Sequence, residues 1–381
     1  ELIRPIIETS APKAEQDRQL SGEVHAAMRQ AGLFAMMAPR ARGGYELPPA
    51  ECMEVFEAVA RIDPAAAWNL EMNQAIACYV AWLSDEGADD IFRDGIPVIA
   101  GALYPPGSGI RVEGGWRITG RVPFGSGCHH ADWLALPFVE MDGDKPRVDR
   151  ETGQPVPLGA FFPRAQAEIL DTWHTLGMRG TGSADYAVSD VFVPDHLIAS
   201  VCPLSRPAPG FEGPLYRMWP LSSLLGESIV SVGVAATAVE AGVELCRTKT
   251  PAYNATPLRE QQLAQFQLGK ARSRVDAARD TLLCAAGFSY DDVSRSGGLL
   301  SWPAKVRIQL AACFAAEACA EAVRLVNDAV GTSSIRVENR FERCFRDAHT
   351  LLQHSDKSSA RYASAGRLML GLENDWVWLS F

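Results

Sequence analysis

What this sequence lacks narrows its class before any motif is considered. Its nine cysteines include no Cys-x-x-Cys pair, and its seven histidines show no metal-ligand spacing. We therefore expect reduced thiols, a cytoplasmic location and no metal site. No apolar run approaches the 18 or more residues of a membrane span, and no signal peptide is recognisable at the N-terminus. We therefore expect neither a membrane protein nor a secreted protein.

Positive charge is also scarce. The 36 lysines and arginines are outnumbered by 46 aspartates and glutamates, which gives a net charge of −10. Because nucleic-acid binding needs a basic surface, we expect no nucleic-acid partner. With 381 residues and 47% hydrophobic content, the chain is long and apolar enough for two or three globular domains.

Periodicity divides the chain into three regions. Residues 1–97 follow a helical repeat and predict an N-terminal helical domain. Residues 98–207 contain short strand-like runs, including a hairpin around Gly114-Gly115, and predict a small antiparallel β domain. The Pro- and Gly-rich stretch 202–214 is interpreted as a linker. Residues 215–381 are helical again and predict a C-terminal four-helix bundle, with helices at 222–248, 258–287, 301–329 and 338–370.

Three motifs occur in order along the last two regions. They are "GGWRITGRVPFGSGCHHADWLAL" (114–136), "WHTLGMRGTGSADYAVSDVFVPD" (173–195) and "AVGTSSI" (329–335). Together they resemble the acyl-CoA dehydrogenase superfamily. The resemblance implies an α+β, mainly α fold with a helical N-domain, a central β-barrel-like domain and a C-terminal four-helix bundle. It also implies a homotetramer.

The chain departs from the dehydrogenases of that superfamily at two places. Most of them carry a catalytic glutamate directly before Gly-Thr-Ser, where this chain has Val330, and valine cannot accept a proton. The flavin-phosphate motif, an Arg followed closely by Phe-Gly, is absent from residues 247–262. A minority of dehydrogenases carry the base on an earlier bundle helix. Glu227 lies near that place, so an acyl-CoA dehydrogenase using Glu227 stays open as an alternative.

At other positions the chain resembles a sister branch, the two-component flavin-dependent monooxygenases. Their marks are an aromatic-x-Ser-Gly turn followed by His and Trp, and an Arg-Asp helix ending in Gln-His. Here these are Phe124-Gly125-Ser126-Gly127 with His130 and Trp133, and Arg346-Asp347 leading to Gln353-His354. The resemblance implies reduced FMN or FAD from a separate flavin reductase, with O2 as co-substrate. It also implies hydroxylation of an aromatic or other small organic substrate through a flavin C4a-hydroperoxide.

The resemblance assigns roles to individual side chains. His354, Ser126 and His130 are the catalytic candidates, and the flavin-binding candidates are Phe124, Ser126, Gly127, Trp133, Arg179, Gly180 and Thr181. An imidazole near its working pH suits proton transfer, a hydroxyl suits a hydrogen bond to flavin N5 or O4, and a fixed guanidinium suits negative charge on the reduced ring. We expect His354 to lie two turns after Asp347 on one helix face.

Structural roles for the same residues remain open at this level. Ser126 suits a turn between glycines, His354 a polar contact inside the bundle, and Trp133 a place in the core. His129 and His130 are adjacent and cannot both face a site, and His130 is only slightly favoured. A non-catalytic helical binding protein is the alternative from another class.

Overall fold

The computed structural model describes residues 2–104, 106–148, 153–155, 157–200 and 207–380. A helical N-terminal layer is followed by a β-sheet and then by a C-terminal helical bundle. This confirms the predicted mainly α, α+β class. Of the predicted linker, residues 202–206 lie outside the described residues.

Among the described residues, five α-helices precede the sheet. They are α1 (Arg4–Asp17), α2 (Gly22–Gln30), α3 (Pro49–Ala60), α4 (Pro64–Ala77) and α5 (Asp85–Ile91). Asp63 caps α4, because its Oδ1 accepts a hydrogen bond from the Ala65 amide at 3.1 Å. Pro64 takes the first helical position, where no amide proton is needed. Helix α4 is buried along most of its length and contacts both the sheet and the bundle.

The described residues form nine strands in one sheet. They are β1 (Ile99–Gly101), β2 (Gly107–Val112), β3 (Gly115–Val122), β4 (Trp133–Asp142), β5 (Lys145–Pro146), β6 (Pro157–Pro163), β7 (Glu168–Leu170), β8 (Asp185–Pro194) and β9 (Ile198–Ser200). The main order is β7-β8-β3-β2-β4-β6-β9, with β1 and β5 also paired to β4. The hairpin predicted at Gly114 is confirmed: it joins β2 to β3, and Gly114 has a φ of +75°.

The prediction of a purely antiparallel sheet was wrong. Strands β1 and β2 lie one after the other along β4, and both run parallel to it. The reason is the long connection from β3 to β4, residues 123–132, which lets the chain cross over before β4 begins. This connection carries the Phe124–Gly127 turn.

The bundle follows a short helix. Its elements are α6 (Pro214–Arg217), α7 (Leu221–Thr248), α8 (Gln262–Ser296), α9 (Trp302–Val330), α10 (Arg340–Leu351) and α11 (Ala360–Met369). Helix α7 is central and packs on α8, α9 and α10 of the bundle and on α3 and α4 of the N-terminal layer. By length and composition α7 alone among the described helices is apolar enough to cross a membrane. Its burial in the bundle accounts for that composition.

The fourth predicted bundle helix, 338–370, is two helices. Helix α10 ends at Leu351 and α11 begins at Ala360, with one 3₁₀ turn, Ser355–Lys357, between them. Gln309 of α9 donates a hydrogen bond to the Asp356 carbonyl at 2.7 Å and so holds the break against the bundle. His354 therefore lies beyond α10, and the expectation that it shares a helix face with Asp347 was wrong.

Candidate active site

The turn that carries Ser126 is fixed to α4 by two side chains. The Trp68 indole N–H donates to Ser126 Oγ at 3.0 Å, and the Asn73 amide donates to the Ser126 carbonyl at 3.0 Å. Gly127 has a φ of +73°, and a Cβ there would lie 2.8 Å from Asn73 Oδ1, so glycine is required. Ser126 is 5% exposed, and its hydroxyl is thus held inside the protein by the N-terminal layer.

A row of buried hydroxyls continues from Ser126. Its Oγ lies 2.8 Å from Ser183 Oγ, which lies 2.7 Å from Thr181 Oγ1, and Thr181 donates to the Met178 carbonyl at 2.8 Å. Because the indole N–H of Trp68 only donates, Ser126 uses one lone pair to accept from it. Thr181 gives its one hydroxyl proton to the Met178 carbonyl, so Ser183 is the donor to Thr181. Ser126 is in turn the donor to Ser183. The second lone pair of Ser126 Oγ stays free, and the row therefore lets Ser126 accept a hydrogen bond from a ligand.

Helix α10 fixes the next turn, residues 176–182. Asp347 Oδ1 accepts from the Met178 amide at 2.6 Å, and Arg346 donates to the Leu176 carbonyl at 2.9 Å. A Cβ on Gly177 would come within 2.4 Å of the Arg346 carbonyl group, so the backbones touch. The Arg-Asp pair noted in the sequence thus has a structural role in positioning this turn.

The Asp347 carboxyl gives the protein a specific pH dependence. Burial raises its pKa from 3.8 to about 6, partly opposed by the nearby Arg343 guanidinium and the Met178 amide, while Glu15 and Asp63 raise it further. Because the folded-state pKa is the higher one, this carboxyl stabilises the fold below about pH 4, and the contribution is lost as pH rises to about 6. The shift corresponds to about 3 kcal/mol.

We expect Asp347→Asn to remove this contribution while keeping an oxygen for the Met178 amide. Melting temperatures measured from pH 4 to 7 should therefore fall less with rising pH in the variant than in the wild type. Parallel curves for the two proteins would contradict the assignment to Asp347.

Arg179 follows Met178, and one nitrogen of its half-buried guanidinium is unsatisfied. This atom, Nε, is buried and has no hydrogen-bond partner within the described chain. The backbone of the turn is fixed, because Trp173 Nε1 donates to the carbonyls of both Met178 and Arg179 at 3.2 and 3.1 Å. Gly180 is packed against α4, where a Cβ would lie 3.0 Å from Ala65 Cβ. Arg179 thus places a cation on a fixed turn, with capacity for an anionic ligand.

Trp68 contacts His354 as well as Ser126. The His354 and Trp68 rings meet edge to face, with 5.6 Å between their centroids. His354 Nδ1 is 3.3 Å from Glu227 Oε2 on α7 and 3.9 Å from Asp356 Oδ2. The structure therefore brings His354 and Ser126 together through Trp68, which contacts both.

A lysine completes this cluster. Lys357 is fully buried, with Nζ 3.5 Å from Glu227 Oε2 and 5.0 Å above the Trp68 ring. In the part of the chain that the structure describes, its ammonium makes no hydrogen bond. Buried charges without partners mark places that a ligand or water completes.

The cluster contains three side chains of types that bind metals, although the spacing of histidines and cysteines in the sequence indicated no metal site. Glu227, His354 and Asp356 place ligand atoms within 4.8 Å of one another. The Lys357 ammonium beside Glu227 opposes a further cation there. We therefore interpret the group as an ionic network.

A second buried carboxyl lies behind Glu227. Glu71 of α4 approaches α7 at Gly226, where a Cβ would come within 2.6 Å of Glu71 Cγ. The Ser223 hydroxyl lies 3.0 Å from Glu71 Oε1 and 3.3 Å from Glu227 Oε1. Burial, reinforced by the neighbouring Glu227, raises the pKa of Glu71 well above its usual range. Burial thus favours the protonated form of Glu71.

The remaining candidates lie at the edge of this site or away from it. Phe124 is 66% exposed and meets the Trp173 ring edge to face. Trp133 begins β4 between Ile99 and Pro163 and is packed partly against the core. The structure brings neither side chain to the Ser126 hydroxyl.

His130 faces the N-terminal layer. Its Nε2 lies 2.8 Å from the Leu20 carbonyl, and its ring stacks on His25 at 5.3 Å. His129 lies beside Gly182, and burial lowers the pKa of its imidazole. His130 is thus not brought together with His354 and Ser126, and the structure adds nothing in favour of its catalytic role.

Val330, at the position that carries the catalytic base in most dehydrogenases, has a structural role in this chain. Val330 is 1% exposed and ends α9, and its carbonyl accepts from Lys249 Nζ at 2.5 Å. The same ammonium lies 2.8 Å from Ser333 Oγ. The Gly-Thr-Ser turn therefore closes the end of a helix, and no carboxylate is available there.

Four residues of the site are not predictable from the sequence patterns described above: Trp68, Lys357, Ser183 and Glu71. Trp68 and Glu71 lie in an apolar helix that gave only a burial pattern, and Lys357 follows His354 in a segment predicted as continuous helix. Ser183 falls in the quoted 173–195 motif, whose small hydroxyl residues were its one indication.

Comparison with known proteins identifies the family. The model described as "Acyl-CoA dehydrogenase, N-terminal domain" matches residues 2–90, and "Acyl-CoA dehydrogenase, C-terminal domain" matches 225–358, together more than half of the chain. The chain belongs to the acyl-CoA dehydrogenase superfamily. This confirms the resemblance and the fold it implied.

The curated relatives lie in one branch of the superfamily. The chain is 28% identical to an indole-3-acetate monooxygenase of Pseudomonas putida, covering 94% of this chain and 89% of the relative. It is 26% identical to the flavin-dependent monooxygenase oxygenase subunit HsaA of Mycobacterium tuberculosis, covering 97% and 94%. This superfamily member is a flavin-dependent monooxygenase.

A solved structure supports the fold over the whole chain. The complex of XiaF from Streptomyces sp. with FADH2 and glycerol superimposes with a TM-score of 0.87 and 24% identity, covering 98% of this chain and 94% of that one. The helical layer, sheet and bundle are therefore arranged as in other members of the superfamily.

Proposed function

We propose that this protein is the oxygenase component of a two-component system that hydroxylates a small aromatic compound. The observation that carries the proposal is the meeting of Ser126, Trp68 and His354 where α4, the sheet and the bundle converge. The aromatic substrate class is supported by the indole-3-acetate monooxygenase relative. A separate reductase is supported by the name oxygenase subunit of the other relative.

The residues present fit a reduced flavin, FMN or FAD. Arg179 Nε is buried and lacks a partner in the described ranges, which suits the negative charge of the reduced ring. Ser126 donates its proton to Ser183 and keeps one lone pair that can accept from an N–H group of the reduced ring. The FADH2 complex of a structural neighbour supports FAD as one of the two.

Each residue of the site then has its own role in the reaction. A bound reduced flavin supplies the electrons for reaction with O2. Ser126 orients that ring through its hydroxyl, and Arg179 stabilises its charge. Trp68 covers the site between Ser126 and His354 and excludes water. His354 is placed to take a proton from a substrate hydroxyl or to donate one to an oxygen atom.

The proposal is tested by supplying reduced flavin directly. The purified protein is mixed with dithionite-reduced FMN or FAD, 18O2 and a panel of phenols and indoles, with and without a flavin reductase and NADH. We expect product containing one 18O atom in both arrangements. Oxidation of flavin to give only H2O2 with every aromatic compound would overturn the aromatic assignment.

The rival activity, acyl-CoA dehydrogenation with Glu227 as base, predicts a different optical result. Glu227 is enclosed by His354, Lys357 and Ser223, and Val330 offers no carboxylate. We therefore expect no bleaching of bound oxidised FAD by acyl-CoA thioesters and no reduction of an artificial electron acceptor. Turnover that disappears in Glu227→Gln would establish the dehydrogenase instead.

We also infer a homotetramer and a cytoplasmic location. Exposed apolar side chains on the bundle, which include Leu263, Phe266, Met369 and Leu370, support burial by further subunits. All eight cysteines in the described ranges are free, as expected in a reducing compartment. Light scattering should give about four times the chain mass of 41.3 kDa.

A further inference from the structure

The Glu227 carboxylate lies at the centre of the buried cluster. Its Oε2 is 3.3 Å from His354 Nδ1 and 3.5 Å from Lys357 Nζ, and its Oε1 is 3.3 Å from the Ser223 hydroxyl. Glu227 is 3% exposed. It therefore has one cation, one imidazole and one hydroxyl as neighbours, and each of these stabilises an ionised carboxylate.

The contacts around it favour Glu227 as the acceptor for His354. Burial raises the pKa of Glu71, on α4, and so favours its protonated form. Lys357 is fully buried, and Glu227 is the carboxylate that pairs with it among the described residues. Asp356 is the other carboxylate facing His354, but at 3.9 Å it lies beyond hydrogen-bond reach, and its Oδ1 accepts from Ser355.

We propose that Glu227 is a positioning residue for His354. This inference rests on the proposed function and adds a residue to it. Accepting from Nδ1–H holds the neutral imidazole with its proton on Nδ1 and leaves the Nε2 lone pair for the substrate. When a substrate hydroxyl gives up its proton, the O–H bond breaks, an Nε2–H bond forms, and the imidazolium charge is balanced by Glu227.

The present contact between His354 Nδ1 and Glu227 Oε2 is not aligned as a hydrogen bond. Neither atom has a hydrogen-bond partner in the described part of the chain. Such contacts are commonly loose in ligand-free enzymes and tighten when the ligand binds. At 3.3 Å the carboxylate also attracts the imidazolium whenever the ring is protonated.

The inference is tested first without flavin. Hydrogen–deuterium exchange at the imidazole C2 position is followed by mass spectrometry across a pH series. A His349→Ala background is used, because the tryptic peptide 347–357 then contains His354 as its single histidine. In Glu227→Gln the exchange midpoint of His354 should fall by about one pH unit, since the imidazolium loses its carboxylate. Asp356→Asn is the matched control and should move the midpoint much less.

The second readout is catalytic. In Glu227→Gln the acid limb of the pH profile of kcat/KM should move in the same direction, and product per O2 consumed should fall about tenfold or more. Reduced-flavin affinity should stay unchanged. Where Glu227→Gln does not fold, Glu227→Asp is used, because it keeps the charge on a shorter side chain. The exchange midpoint of His354 in Glu227→Asp should lie between the wild-type midpoint and the midpoint expected for Glu227→Gln.

Two results overturn the inference. One is an unchanged His354 midpoint in Glu227→Gln, or in Glu227→Asp where the first variant is unfolded. The other is an equal shift in Asp356→Asn. Both are measured on flavin-free protein, so a wild type that forms no aromatic product would contradict the proposed function without deciding the role of Glu227.

Discussion

Replacing His354 with alanine is expected to lower hydroxylated product by about 10²- to 10⁴-fold, the usual cost of removing a general acid or base. Binding of reduced flavin should persist, because the Ser126 hydroxyl and Arg179 are contributed by other elements. Oxygen should still be consumed and appear as H2O2. Product and H2O2 measured side by side in one reaction give the coupling directly.

A matched control lies on the neighbouring helix. His349 bonds to the Phe345 carbonyl within α10, at 2.7 Å, and is not part of the cluster. His349→Ala should therefore keep the wild-type ratio of product to H2O2. If His354→Ala lowers only the melting temperature and leaves this ratio intact, His354 has a structural role and does not take part in the reaction.

Replacing Ser126 with alanine is expected to weaken reduced-flavin binding by about 1 to 3 kcal/mol, roughly 5- to 150-fold in Kd. The variant loses the hydroxyl oxygen whose free lone pair accepts a hydrogen bond from the ligand. It also leaves the Trp68 indole N–H without its acceptor inside the protein. Anaerobic titration with reduced FMN and FADH2, followed by fluorescence, measures the change.

Ser183→Ala separates the two contributions of Ser126. This variant interrupts the hydroxyl row but keeps both the Ser126 hydroxyl and its bond to Trp68. We expect a smaller loss of affinity than in Ser126→Ala, because Ser126 Oγ can still accept a hydrogen bond from the ligand. Equal flavin affinity in Ser126→Ala and the wild type would return Ser126 to the role of a turn residue.

The fold followed from patterns that are local in the chain. Helical repeats in α3, α7 and α9 and the Gly114 turn between β2 and β3 each depend on a few neighbouring residues. The direction of β1 and β2 relative to β4 was not predictable in this way, since strand direction depends on where a connection crosses the sheet.

The sequence by itself determined the family, the absence of a carboxylate at Val330 and the candidacy of Ser126 and His354. These conclusions depend only on which residue occupies a given position, and the sequence gives that directly. The break after Leu351 was not determined, because it is held by a hydrogen bond from Gln309 on another helix.

Only the tertiary structure decided which side chains share the site. Trp68, Glu227 and Lys357 come from α4, α7 and the segment after α10, so their contacts span 130 residues or more of sequence. The raised pKa of Glu71 likewise depends on burial between two helices. Burial and charge pairing arise from elements that meet in space, and no local pattern in the chain records them.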